Sequence, residues 1–242
     1  MRRREFLSVM GTAAAWPIAA RAQQTDRVRR VAILMGYAEG DAEAKALLLE
    51  FTQALSDFGW IEGRNLRIDI RWAPGRIDLM RTCANELVSL PPNVILADST
   101  PVTAALKHET SSIPIVFAAV ADPVGSGFVE SLPRPGGNIT GFSSLETSMA
   151  SKWLELLTEI APGTKRTVMM FNPDTAPYTT SYVLPSFEAA ARSRKIDSIV
   201  APVHSDAEIE AVITALGRDE GDSLLGLPDN FVEIHRALII SL

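Results

Sequence analysis

The chain has 242 residues, 47% of them hydrophobic and 21% charged, with a formal net charge of −6 at neutral pH. An acidic balance of this kind excludes nucleic acid as the expected partner. The single cysteine, Cys83, excludes an internal disulfide, and with three histidines (His108, His204, His235) and no second thiol no metal-ligand spacing is present, so neither metal nor cofactor is expected.

Residues 1–22 read as an export signal peptide. Arg3-Arg4-Glu5-Phe6-Leu7 is followed by an apolar small-residue run and by Ala20-Arg21-Ala22 before Gln23, the order of a basic region, an apolar region and a cleavage box. The paired arginines followed by Phe-Leu resemble the twin-arginine export motif, with Arg2 in place of the usual Ser or Thr and Pro17 inside the apolar run. A periplasmic protein exported by that route is expected. Residues 10–20 are too short to span a bilayer, and no later stretch reaches the roughly 20 apolar residues a spanning helix needs, so the mature protein is expected to be soluble. Cleavage after Ala22 removes four arginines and one glutamate, which takes Lys+Arg from 23 to 19, Asp+Glu from 29 to 28, and the charge from −6 to −9.

Residues 23–30 form a polar linker, after which apolar runs and helical spacings alternate. A strand at 31–35 precedes a helix in which Ala44, Leu47, Leu48, Phe51, Leu55 and Phe58 share a face. Alternation of Leu66, Ile68, Ile70 and Trp72 with Arg67, Asp69 and Arg71 predicts an outer strand with one solvated face, followed by a helix over 77–90 that Pro91-Pro92 stops. A strand at 94–97, a helix over 101–109 and a strand at 115–119 continue the cycle. Breakers then cluster from Leu132 to Asn138, and after 139–142 a new helix begins near Met149, which marks a crossover between lobes. Three further strands are predicted at 167–171, 198–201 and 223–227, with helices over 179–194 and 206–216. A last helix from Phe231 still runs at Leu242, so the second lobe is expected to be incomplete. Trp60, Trp72 and Trp153 fall in strand or helix patterns and are expected in the core. The expected fold is α/β, two doubly wound parallel-sheet lobes, with lobes at 31–143 and 144–242.

Open parallel sheets bind ligands beyond the carboxyl ends of their strands. The residues there are polar. Ser99 and Thr100 precede Pro101 at an expected helix start, where free N–H groups and the positive dipole end hold a carboxylate or phosphate. Asp122, Asn172, Asp229 and Asn230 suit an ammonium group, and Tyr37 and Tyr178 offer flat apolar faces. Each of these is equally a helix cap, a turn former or a packing residue, so the set carries more weight than any member. Were Asp229 a ligand contact, its replacement by alanine would weaken binding far more than folding.

Catalytic patterns are missing from the sequence. Gly125-Ser126-Gly127 lacks the spacing of a nucleophile elbow, and no glycine-rich phosphate loop or dinucleotide fingerprint is present. A triad of Ser99, His108 and Asp122 meets the objection that His108 falls on a helical face with nothing to orient it. No enzyme is expected.

Four segments carry a closer likeness: Phe58-Gly59-Trp60-Ile61-Glu62-Gly63-Arg64-Asn65, Asp122-Pro123-Val124-Gly125-Ser126-Gly127-Phe128-Val129, Pro135-Gly136-Gly137-Asn138-Ile139-Thr140-Gly141-Phe142 and Lys152-Trp153-Leu154-Glu155-Leu156-Leu157. In this order they resemble the ABC-transporter substrate-binding protein family that includes the tryptophan-binding TrpX type, over the whole of 31–242. The resemblance implies the type I periplasmic-binding-protein fold, with a chain that ends before its final crossing between lobes. It also implies capture of a small polar solute, such as an amino acid, for an ABC permease in the membrane, by a chain expected to be monomeric. By motif position, the cleft of that family corresponds here to Tyr37, Ser99, Thr100, Asp122, Asn172, Tyr178, Asp229 and Asn230. Asn172-Pro173-Asp174 departs from the Asn-Ser-Ser-Glu form associated with tryptophan binders. The alternative is a sensory or regulatory ligand-binding module of the same fold; for a repressor, a helix-turn-helix would be expected before Val31, where the signal stands instead.

Overall fold

Strand β1 (Arg29–Met35) buries Val31 to Met35 on both faces, so it lies inside a sheet with helices on either side. The computed structural model describes residues 28–217 and 220–242; the expected signal segment and most of the linker lie outside them. From β1 the chain alternates through α1 (Ala42–Asp57), β2 (Leu66–Trp72), α2 (Ile77–Ser89), β3 (Val94–Ala97), α3 (Thr100–Glu109), β4 (Ile115–Val120) and β5 (Ile139–Ser143). These five strands are all parallel, in the order β2-β1-β3-β4-β5. Ala32 and Leu34 of β1 pack into the cluster under α2 and α3, while Val31, Ile33 and Met35 pack with Ala44 and Leu48 of α1. That alternation is the double winding read in the sequence. Cys83 is buried in the first of these clusters, and burial pushes its thiol up.

The second lobe follows with α4 (Met149–Ile160), β6 (Arg166–Phe171), α5 (Leu184–Arg194), β7 (Asp197–Pro202), α6 (Asp206–Leu216), β8 (Asp222–Gly226), α7 (Asn230–Ile234) and α8 (Arg236–Ser241). Its strands are parallel in the order β7-β6-β8. Met169 and Phe171 of β6 face Leu154 and Phe187, and Met170 faces Ile209 and Phe231. Among the described residues no helix is long and apolar enough to cross a membrane.

Four local features depart from the sequence reading. Residues 139–143 form a strand, paired in parallel with β4, although Gly141 weakens their own propensity; a Cβ at Gly141 would lie 2.1 Å from the Phe117 carbonyl oxygen. The helix expected from Thr179 opens with one π-helical turn over Thr179–Val183, and α5 proper starts at Leu184, with Pro185, whose ring suits a first turn, directly after it. The last helix breaks at His235 into α7 and α8. Trp60, expected in the core, is 40% exposed: it sits in the loop after α1, where Gly59 at φ +85° turns the chain away from the helix face. Trp72 and Trp153 are partly buried against the two cores as expected.

Candidate functional site

Parallel strands end on one edge of each sheet, and the two edges face each other across a cleft. The inner part of the cleft is a cavity of about 140 Å³, lined from the first lobe by Tyr37, Asp98, Ser99, Thr100, Ala119 and Ala121 and from the second by Thr175, Tyr178, Asp229, Asn230 and Glu233. An outer cavity of about 440 Å³ shares Thr100, Pro101 and Tyr178 with it and runs past Asp122 and Asp174. Six of the sequence-predicted residues therefore meet at the inner cavity: Tyr37, Ser99, Thr100, Tyr178, Asp229 and Asn230.

They stand at strand ends or in the loops and helix starts that follow them. After β1, the Gly36 N–H donates to both carboxylate oxygens of Asp98, at 3.0 Å each, which ties the β1 and β3 ends together. Tyr37 reaches across the cleft and donates its hydroxyl to Glu233 Oε2 at 2.6 Å. Asn230 donates Nδ2 to the Gly36 carbonyl at 3.2 Å, leaving its buried Oδ1 without a partner. Ser99 occupies the N-cap of α3 in extended conformation but its side chain caps nothing, and its buried Oγ has no hydrogen bond of good geometry. Pro101 lies in the first turn of α3, so the N–H groups around it point outward with the positive end of the helix dipole.

Asp229 is differently employed. Its carboxylate accepts from the backbone N–H groups of Asn172 (3.0 Å), Phe231 (2.8 Å) and Val232 (3.0 Å) and from Thr175 Oγ1 (2.9 Å). It caps α7 and ties the β8 end to the β6 end. Asn172 lines neither cavity: its Oδ1 accepts from the N–H groups of Asp174 (2.8 Å) and Thr175 (3.1 Å), which is a turn. Asp122 lines the outer cavity while its Oδ1 accepts from Gly125 N–H at 2.8 Å.

Charge around the inner cavity is one-sided. Asp98, Asp229 and Glu233 line it, and among the described residues no Lys, Arg or His does. Burial pushes the Asp98 carboxyl up to about 7 against the opposing Gly36 N–H bond. Burial likewise raises Asp229 and Glu233, with their hydrogen bonds acting the other way. Tyr37 and Tyr178 stay protonated because burial and the neighbouring carboxylates hold both phenols well above their ordinary range. Ala119 adds backbone strain, with φ +55° beside a register shift between Phe117 and Val120. Sequence reasoning gave no role to Ala119, Thr175 or Glu233, nor to Asp98, which it saw only as one of the polar residues after β3. Asp98 stands beside the predicted Ser99, whereas Glu233 reaches the site one helical turn after Asp229 and leaves no signal of its own. Among the described residues no group of three or more His, Cys, Asp or Glu side chains is placed to hold a metal ion.

Residues 31–240 match the family model described as ABC transporter substrate binding protein. The chain is 31% identical over 166 residues to a tyrosine-binding protein of Clostridioides difficile, a match covering 69% of this chain and 47% of the relative. It thus spans about half the length of that curated relative. Among solved structures, a conserved domain protein of Vibrio cholerae is 29% identical with a TM-score of 0.78, covering 89% of this chain and 71% of that one. A ligand-free, open substrate binding protein with adhesive properties from Clostridium difficile is 26% identical with a TM-score of 0.59, covering 88% and 70%. An ABC domain from Streptococcus pneumonia in complex with L-Trp shares the fold at 22% identity, with a TM-score of 0.76 and coverage of 88% and 70%.

Proposed function

The chain belongs to the ABC transporter substrate-binding protein family, and on that premise we propose that it captures an amino acid between its two lobes, outside the cytoplasm, for a membrane permease. The supporting observation is the inner cavity. Three carboxylates and, among the described residues, no basic side chain line it, which suits an ammonium group. The start of α3, with the Ser99 and Thr100 hydroxyls beside its outward N–H groups, suits a carboxylate. A zwitterion satisfies both ends, and the tyrosine-binding relative favours an aromatic one.

In this reading residues 31–143 and 144–242 are the two jaws. Tyr37, Ser99, Thr100, Tyr178 and Asn230 are contacts, and Asp229 and Asn172 hold the loops that carry them. Contacts made from both jaws exist only when the cleft is closed, so the ligand shifts an open–closed equilibrium that a permease senses. The protein's work is binding, with no bond made or broken. Residues 1–22 direct export through the twin-arginine route.

Isothermal titration of the purified chain against the L-amino acids tests this. One-to-one binding of an aromatic amino acid is expected; no heat with any amino acid overturns the reading.

A further inference from the structure

The segment 230–236 belongs to the second lobe by its core and to the first by its contacts. Phe231 packs with Met170 and Ile209 of the second lobe. Asn230, Glu233 and Ile234, spaced as one face of a helix, meet the first lobe instead. Asn230 and Glu233 make the bonds to Gly36 and Tyr37 described above. Ile234 packs against the cluster of Val31, Ile33 and Met35, so close to Gly75 that a Cβ there would lie 2.4 Å from Ile234 Cδ1. Arg236 follows at the start of α8. Its Nη2 donates to Asp41 Oδ2 at 2.9 Å and stands 3.6 Å from Glu43 Oε2, while its Nη1 donates to the Glu233 carbonyl at 2.8 Å. Asp41 is equally fixed, because its Oδ1 caps α1 by accepting from the Glu43 and Ala44 N–H groups, at 3.0 Å each. Arg236, Asp41 and Glu43 all lie outside the lining of both cavities.

We infer that 230–236 is a clasp drawing the lobes together through the protein's own groups, and that Arg236 is its positioning residue. Paired with Asp41 and Glu43, Arg236 sets the balance between open and closed forms and makes that balance depend on ionic strength. The inference rests on the reading of the two lobes as jaws, whatever ligand they take. An isolated exposed ion pair contributes little, since holding two long side chains still offsets the attraction. Here both partners are already held. The Glu233 carbonyl orients the guanidinium, the cap orients Asp41, whose side chain is only 16% exposed, and Glu43 is a third member of the network. The pairing spans the lobes and so exists only when they are closed, whereas each orienting contact lies within one lobe and survives opening. Screening by salt therefore weakens closure and leaves each lobe intact.

The test is small-angle scattering of the chain, with no ligand added, from about 0.01 M to about 1 M sodium chloride, which shortens the screening length from about 30 Å to about 3 Å. The radius of gyration of the parent chain is expected to rise with salt. Arg236→Gln and Asp41→Asn each show the larger radius already at low salt, a shift toward the open form of about threefold to fivefold. Combining them adds nothing further, as two ends of one pairing require. Asparagine caps a helix as well as aspartate does, so Asp41→Asn keeps α1 and tests the charge alone. Arg192→Gln, which breaks the pair with Glu188 inside the second lobe, leaves the radius unchanged. A parent radius indifferent to salt, clasp variants that scatter as the parent does, effects that sum in the double variant, or an equal shift in Arg192→Gln overturns the inference. Because no ligand enters the experiment, failure of every amino acid in titration overturns the amino-acid reading and leaves this result standing.

Discussion

The side-chain amide of Asn230, on the second lobe, donates to the carbonyl of Gly36, at the end of the first strand of the other lobe. The approach is so close that a Cβ on Gly36 would lie 2.5 Å from Asn230 Nδ2. Gly36→Ala therefore forces the amide aside and holds the lobes apart at this point. The variant is expected to fold normally, to lose about tenfold in ligand affinity, and to scatter X-rays with a larger radius of gyration in saturating ligand; titration and small-angle scattering read both effects.

Tyr37→Phe removes the hydroxyl that Glu233 accepts at 2.6 Å. The Glu233 carboxyl, already raised by burial, then loses the bond that lowered it. A loss of about 1–2 kcal/mol is expected in urea unfolding at pH 8, where the charged carboxylate lacks its donor, and a smaller loss as pH falls and protonation relieves it.

Asp229→Ala leaves four donors unmet, three of them backbone N–H groups that include the cap of α7. The expected cost is about 3 kcal/mol in chemical unfolding. The sequence alone made Asp229 a ligand contact whose loss would weaken binding far more than folding. The structure commits its oxygens to the protein, so Asp229→Ala is expected to lose stability first, and Asp229→Asn, which keeps one acceptor, to lose less.

Asp98 gives the cleft a pH dependence. Its ordinary value of 3.8 rises to about 7 in the folded chain, so its contribution to stability is complete below 3.8 and is lost as pH climbs through about 7. Asp98→Asn should flatten that decline in thermal melts between pH 4 and pH 8. A bound ammonium favours the ionised carboxylate, so affinity should fall as pH drops below about 7. Titration at pH 6 in buffers of different ionisation heats should register a released proton, and the variant should release none.

Much of the first lobe was legible because β1, β3 and β4 are short apolar runs with polar residues at their carboxyl ends, and α1 and α2 carry a clear apolar face. What escaped depended on partners. Gly141 has little strand character until β4 supplies the ladder, and Trp60 reads as core until Gly59 and Gly63 turn its loop outward. Strand-end polarity located Tyr37, Ser99 and Asn230 because the topology guarantees where those residues go. It was silent on the division of labour between Asp229, which braces the loops, and Asn230, which faces the cavity. That division lies in which N–H groups each side chain meets, a tertiary fact that residue type does not encode.

Burial of Cys83, the sole cysteine of the chain, in the core cluster where α2, which carries it, packs on β1 has a practical side. With its thiol buried and its pKa raised, it reacts slowly with maleimides, so the native surface offers dyes no competing thiol. One cysteine placed at exposed Leu132 would take a solvent-sensitive fluorophore cleanly. Its emission would then report whether the lobes move on binding as proposed above.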